Sequence, residues 1–63
     1  MSNSYNENVR DRIEMQVLNA NYSFEDLLDE LQMSYQDAYE EKFSYDDLID
    51  LVIEKRFEES PQL

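Results

Sequence analysis

The sequence predicts an all-α fold, a compact bundle of three to four short helices, and three observations indicate it. The chain has 63 residues and no glycine, which excludes tight hairpin turns and glycine-rich phosphate loops. Its one proline, Pro61, follows the last helical pattern, where a proline can end ordered structure. A phrase of serine, aromatic residue, any residue and acidic residue also occurs four times, at residues 4–7, 23–26, 34–37 and 44–47.

Each copy of this serine phrase is a predicted helix start. The serine hydroxyl can accept a hydrogen bond from the backbone N–H three residues on, and the acidic side chain can accept one from the serine N–H. Three copies are also flanked by apolar residues at the spacing of a hydrophobic staple. These staple pairs are Tyr22 with Leu27, Met33 with Ala38, and Phe43 with Leu48. We therefore expect one domain over residues 4–59, between flexible tails at residues 1–3 and 60–63.

The first two helices are predicted from apolar residues that recur on one face. The first helix, residues 5–19, repeats an apolar residue every fourth position. These residues are Val9, Ile13, Val17 and Ala20. Met15 and Leu18 fall off that face. The second helix, residues 24–31, has an acidic side and an apolar side. Its apolar residues are Phe24, Leu27, Leu28 and Leu31.

Two further helices are predicted over residues 35–42 and 45–57. The inward residues of the third helix are Tyr35, Ala38 and Tyr39. The core face of the fourth consists of Tyr45, Leu48, Ile49, Val52 and Ile53. Because Leu51 and Phe57 lie off the centre of that face, the fourth helix is apolar around much of its circumference.

Composition excludes several classes of function. Without histidine and cysteine, the chain lacks the commonest general base, thiolate metal ligands and disulfides. We therefore expect neither enzymatic activity nor a metal or other cofactor. No apolar run approaches the ~20 residues of a membrane span, and residues 1–4 lack the basic and apolar regions of a signal peptide. A cytoplasmic location is the resulting expectation.

The net charge is −11, from sixteen acidic and five basic residues. Because Lys and Arg bind phosphate backbones, this charge weighs against binding to nucleic acid and predicts a basic partner.

Helix starts explain six of the acids, since carboxylates cap a first turn and the helix dipole favours them there. These six are Glu7, Glu25, Asp26, Asp37, Asp46 and Asp47. The other acids are harder to explain, because like charges recur four residues apart on the same helices at a cost of about 0.2–0.5 kcal/mol per pair. This pattern indicates either a functional anionic surface or a merely solvated one.

Residues 22–39 resemble a helix-turn-helix. In that family a capped helix reading apolar-Thr-apolar-Glu-Glu-Leu-x-Glu-Glu-Leu is followed by a short turn, a second serine cap and a recognition helix. Residues 22–31 match as YSFEDLLDEL, and the second cap is Ser34. The resemblance implies a helix-turn-helix-like centre for the bundle. The chain departs from the family at Gln32, where glycine is usual. It also departs in the helix at the position of the recognition helix, residues 35–42, whose three acids stand where a DNA reader presents basic or amide side chains.

The charge pattern favours a non-enzymatic regulator or inhibitor that binds a basic, nucleic-acid-binding protein. Ten acids and only one base, Lys42, lie between residues 25 and 50. The predicted binding surface consists of Asp26, Asp29, Glu30, Asp37, Glu40 and Glu41. These carboxylates either imitate the phosphates of a DNA duplex or only steer association, in which case exposed apolar residues supply the affinity. The candidates for that apolar contact are Met15, Leu18, Leu51 and Phe57, unless they complete the core.

Two alternatives stay open. A true helix-turn-helix regulator would bind DNA through basic residues with its acidic helix turned away. Those basic residues are Arg10, Arg12, Lys55 and Arg56. An oligomerising module, such as a homodimer through the fourth helix, would compensate for the small core of so short a chain. Small acidic helical proteins of this kind resemble accessory proteins of phages and mobile elements, which implies a location in the host cytoplasm.

Overall fold

The structure, a computed structural model, describes the backbone of residues 2–59 and the side chains of residues 8–59. The helices are α1 (Ser2–Asn19), α2 (Phe24–Leu31), α3 (Tyr35–Glu41) and α4 (Tyr45–Glu59). Every regular element within this described part of the chain is helical, which confirms the predicted all-α bundle. The second and third helices are separate, whereas the sequence alone also allows a single helix bent at Ser34.

The largest differences from the predicted helix boundaries lie near the two ends of the chain, and α3 ends one residue earlier than predicted, at Glu41. Helix α1 begins at Ser2, three residues before the predicted start, so Ser4 lies inside the helix instead of capping it. The side chains of this first serine phrase fall outside the described residues. Helix α4 continues to Glu59, two residues further than predicted. Of the predicted tails, residue 1 and residues 60–63 lie outside the described chain.

The other three serine phrases start helices as the sequence predicts. The Ser23 hydroxyl accepts from the Asp26 N–H, and the Ser23 N–H donates to the Asp26 carboxylate, both at 3.1 Å. Ser44 and Asp47 form the same reciprocal pair at 2.9 and 3.3 Å. The Ser34 hydroxyl accepts from the backbone N–H three residues on at 3.1 Å. Each bond satisfies a backbone donor that a helix end would otherwise leave unpaired.

Tight turns follow α2 and α3 although the chain has no glycine. Gln32 and Lys42 adopt the left-handed conformation, with φ angles of 55° and 59°. Backbone N–H groups in each turn bond back to carbonyls of the preceding helix, as in a Schellman motif. The Met33 N–H, for example, donates to the Leu28 carbonyl at 2.9 Å. Gln32 therefore takes the conformation that glycine would take in the helix-turn-helix family, and the turn stays closed.

Replacing Gln32 with glycine should stabilise the protein. A side chain in the left-handed region costs about 1–2 kcal/mol, and glycine loses part of this gain to the entropy of the unfolded chain. We expect a net gain of about 0.5–1 kcal/mol in the free energy of unfolding, measured by urea denaturation. Gln36→Gly is the matched control, because Gln36 lies within α3 and glycine there should cost about 1 kcal/mol. Equal destabilisation by both variants would contradict the left-handed turn.

Helix α4 is the central helix of the bundle. It packs against both α1 and α2, which explains why it is apolar around much of its circumference. The core contains Ile13, Val17, Leu27, Leu28, Ala38, Leu48, Ile49, Val52 and Ile53. Leu51 and Phe57 are partly buried and pack against this core. The sequence left the role of these two residues open, and the structure assigns them to packing within the bundle.

Four residues that were predicted to point inward are exposed, so these predictions are wrong. Tyr35, Tyr39 and Tyr45 expose 58%, 83% and 41% of their surface, and Ala20 is also exposed. Ala20 follows the last residue of α1, beyond the helical repeat. Helix α3 has only seven residues, and Ala38 is the only one of them that is buried. Because so little of the helix rests against the bundle, Tyr35 and Tyr39 remain exposed to solvent.

Candidate partner-binding surface

The acidic residues of α2 point in different directions. The Asp26 carboxylate belongs to the cap of its own helix. The Glu30 carboxylate faces α4, where Arg56 binds it with both ends of its guanidinium group, Nε to Oε2 at 2.5 Å and Nη2 to Oε1 at 2.6 Å. Lys55 Nζ donates to the Glu30 backbone carbonyl at 2.5 Å. Glu30 is therefore half-buried in an internal ion pair, in contrast to its predicted place on a free acidic surface.

Arg56 connects α4 to α2 and to the chain segment before it. Its Nη2 donates to the Tyr22 hydroxyl at 3.1 Å, and the guanidinium carbon lies 5.5 Å from the centre of the Tyr22 ring. Hydrogen bonds to Glu30 and Tyr22 raise the pKa of Arg56. The hydrogen bonds from Arg56 lower the pKa of Glu30, and the positive charges of Arg56 and Lys55 add to this effect. Both members of the pair are thus held in their charged forms.

The acidic residues of α3 remain exposed to solvent. Asp37, Glu40 and Glu41 all belong to this exposed group. Gln36 Nε2 donates to Glu40 Oε2 at 3.2 Å, one helical turn away. Since a neutral amide leaves the carboxylate charge uncompensated, these three residues give α3 a strongly negative surface.

Asp29 lies with Glu25 in a cleft between α2 and the start of α3. The cleft has a volume of about 310 Å³. It is lined by Glu25, Leu28, Asp29, Met33, Ser34 and Tyr35. Desolvation and the Glu25 carboxylate raise the pKa of the Tyr35 hydroxyl, and the charge of Asp29 adds to the effect. Two carboxylates are therefore placed beside an exposed tyrosine.

An apolar groove adjoins this cleft and shares Tyr35 with it. The groove has a volume of about 420 Å³. It is lined by Phe24, Tyr35, Ala38, Tyr39, Lys42, Phe43 and Ser44. The rings of Phe24 and Tyr35 stack with their centroids 6.1 Å apart and their planes 16° from parallel. Aromatic surface thus meets solvent directly beside carboxylates.

The four apolar residues proposed for a partner contact separate into two pairs. Met15 and Leu18 are exposed on α1, at 60% and 49%. Leu51 and Phe57 pack against the core. Of the four, only the two residues of α1 are exposed, while the other two are partly buried.

Most of the basic residues proposed to bind DNA are engaged within the bundle. Arg10 Nη1 lies 2.5 Å from Glu54 Oε1, which joins α1 to α4, and this hydrogen bond raises the pKa of Arg10. Lys55 and Arg56 both bind Glu30. Arg12 is exposed. To bind DNA through all four residues, Arg10, Lys55 and Arg56 would have to break contacts that hold the helices together.

Sequence reasoning missed the exposed tyrosines and the position of Glu25. Helical spacing places Tyr35 and Tyr39 on the same side as Ala38, and it does not show how little of this short helix rests against the bundle. Glu25 counts among the acids that a helix start explains. Asp26, however, forms the cap, which leaves Glu25 at the cleft.

Comparison of the chain with protein families, curated proteins and solved structures found no match. No helix among residues 2–59 is long and apolar enough to cross a membrane. Likewise, the described side chains include no group of three or more histidine, cysteine or acidic residues placed to hold a metal ion. The fold and the site define a small all-α protein with an acidic and partly aromatic surface, and its functional assignment rests on that surface.

Proposed function

We propose that the protein is a non-enzymatic binding protein that presents exposed carboxylates to a basic partner, specifically a nucleic-acid-binding protein. The supporting observation is the excess of negative charge in the middle of the chain. Between residues 25 and 50 ten acids face one base, Lys42, and nine of the ten are exposed. Like charges at this density oppose folding, so a basic surface that neutralised them would gain both affinity and association rate.

The structure narrows the set of carboxylates that this function can use. Glu30 is neutralised by Arg56, and Asp26 is held in a helix cap. The remaining candidates of the predicted set are Asp29, Asp37, Glu40 and Glu41, and the cleft adds Glu25. A protein that binds DNA or RNA carries lysines and arginines spaced for phosphates, which makes it the partner class best suited to such an array.

Affinity capture from the lysate of the native host, at low and at high salt, tests the proposal. We expect a basic protein to be retained at low salt and released at high salt, because exposed charges are screened beyond a Debye length of about 8–10 Å. The variant Asp29→Lys/Glu40→Lys/Glu41→Lys should lose this protein. Retention that does not depend on salt would contradict the proposal.

A matched control keeps the change in net charge and moves it elsewhere. Asp11→Lys/Glu58→Lys/Glu59→Lys reverses three exposed acids outside α2 and α3. We expect this variant to retain the partner at least partly, whereas equal loss from both variants would indicate attraction by net charge alone.

A mobility-shift assay with duplex DNA at low salt should show no shift. A shift would support the helix-turn-helix regulator, and a melting temperature that rises with protein concentration would support an oligomerising module.

A further inference from the structure

The apolar groove beside α3 presents two tyrosines to solvent. Tyr39 is the most exposed of the large apolar residues described, and Tyr35 is more than half exposed. The groove floor is formed by the buried residue Ala38, while Phe24 and Phe43 are only partly buried. Tyrosines in such a position offer a large rigid surface at a low cost in side-chain entropy, and they are enriched among the residues that dominate binding energy.

The charges around this groove determine which kind of occupant suits it. The neighbouring cleft brings Glu25 and Asp29 to one edge of Tyr35. The exposed acids Glu40 and Glu41 lie on the same short helix as Tyr35 and Tyr39. Lys42 is the only base among the residues that line the groove or the cleft. The surroundings are therefore anionic, and a cationic occupant is favoured.

Charge also argues against the other occupants. A second copy of this chain would bring its own acidic α2 and α3 against the same residues, at a net charge of −11 for each protomer. Nucleic acid would be repelled by the same carboxylates.

We propose that the groove binds an amphipathic, cationic segment of a partner protein, with an apolar side chain against Tyr35 and Tyr39 and with lysine or arginine beside Glu25 and Asp29. This inference rests on the proposed function and adds the apolar contact from which the affinity comes. Carboxylates alone would steer the partner, whereas the groove would hold it. The contact lies on α3, not on the residues of α1 and α4 that the sequence singled out.

Two synthetic peptides of roughly 14 residues test this inference by fluorescence anisotropy and by backbone amide chemical shifts. The first carries leucine and lysine at helical spacing. The second has alanine at every leucine position, which keeps its charge and its helix propensity. We expect the leucine peptide to bind at least about tenfold more tightly, with shifts centred on Phe24, Tyr39 and Glu25.

Variants of the protein locate the contact. Tyr39→Ala should weaken binding of the leucine peptide about tenfold and leave the alanine peptide unaffected. Met15→Ala is the matched control, because it also removes an exposed apolar side chain but on α1, and it should change neither peptide. Lys42→Asn removes the one base from the groove and keeps a residue that tolerates the left-handed conformation, so the leucine peptide should bind about twofold more tightly.

The outcomes separate failure of the groove from failure of the proposed function. If both peptides bind equally and lose affinity equally in salt, the groove is overturned while the acidic surface remains. If neither peptide binds at low salt, both proposals fall. Loss of leucine-peptide binding in Met15→Ala, with no effect of Tyr39→Ala, would place the contact on α1 and overturn the inference. A dimer in sedimentation analysis that Tyr39→Ala dissociates would overturn it as well, because the groove would then hold a second copy.

Discussion

Replacing Leu48 with alanine is expected to remove a large part of the protein's free energy of unfolding. Leu48 is completely buried in α4, the helix that packs against both α1 and α2. Truncation of a buried leucine costs about 2.7–5 kcal/mol, through lost burial and the cavity that remains. A domain of this length has a total stability of roughly 3–9 kcal/mol. Thermal and urea denaturation followed by circular dichroism would measure the loss.

Leu18→Ala is the matched control for this prediction. It makes the same chemical change in α1, where Leu18 is about half exposed, and we expect a change within about 0.5 kcal/mol. Leu48→Met preserves most of the side-chain volume and should cost less than about 1.5 kcal/mol. If Leu48→Ala and Leu18→Ala lowered the melting temperature equally, the assignment of α4 as the central helix would be wrong.

The helix starts were predictable from sequence because capping is a local interaction. Ser23, Ser34 and Ser44 each need only a backbone N–H and an acid three residues away, all within one helical turn. Burial of Leu48, Ile49, Val52 and Ile53 in α4 was also predictable, since an amphipathic face indicates which residues turn away from water, although Tyr45 on the same predicted face is exposed. The start of α1 was not, because Ser4 fits the capping phrase while the helix begins at Ser2. A local motif shows where a helix can begin, and it does not exclude an earlier start.

The candidate site was predictable in its charge but not in its arrangement. That the middle of the chain is acidic follows from counting residues. The pairing of Glu30 with Arg56 depends on how α2 lies against α4, because the two residues are 26 positions apart in the sequence. The exposure of Tyr39 likewise depends on how little of α3 rests on the rest of the bundle. Both features arise from tertiary packing, and helical periodicity cannot distinguish a tyrosine that packs from one that extends past its neighbours.

Replacing Arg56 with methionine is expected to cost about 2 kcal/mol, since hydrogen bonds to charged groups contribute about 1.5–3 kcal/mol and this pair is only half-buried. Methionine keeps much of the aliphatic stem but loses both bonds to Glu30 and the contacts with Tyr22. The melting temperature should fall by roughly 8–16 °C. Arg10→Met is the matched control, because its pair with Glu54 is more exposed and should contribute less than about 1 kcal/mol.

The pH dependence of this difference provides a second measurement. The pKa of Glu30 is lowered in the folded protein, so its pairing contributes fully above the unfolded carboxyl pKa of about 4.3 and is lost as the pH falls through the folded pKa. The stability difference between the natural protein and Arg56→Met should therefore be constant at neutral pH and shrink below about pH 4.3. Subtracting the two curves removes the titration of the other acids, which both proteins share. A difference that persisted unchanged in strong acid would show that Arg56 acts through packing and not through its bond to Glu30. A difference no larger than that of Arg10→Met would contradict the expected contribution of the pair.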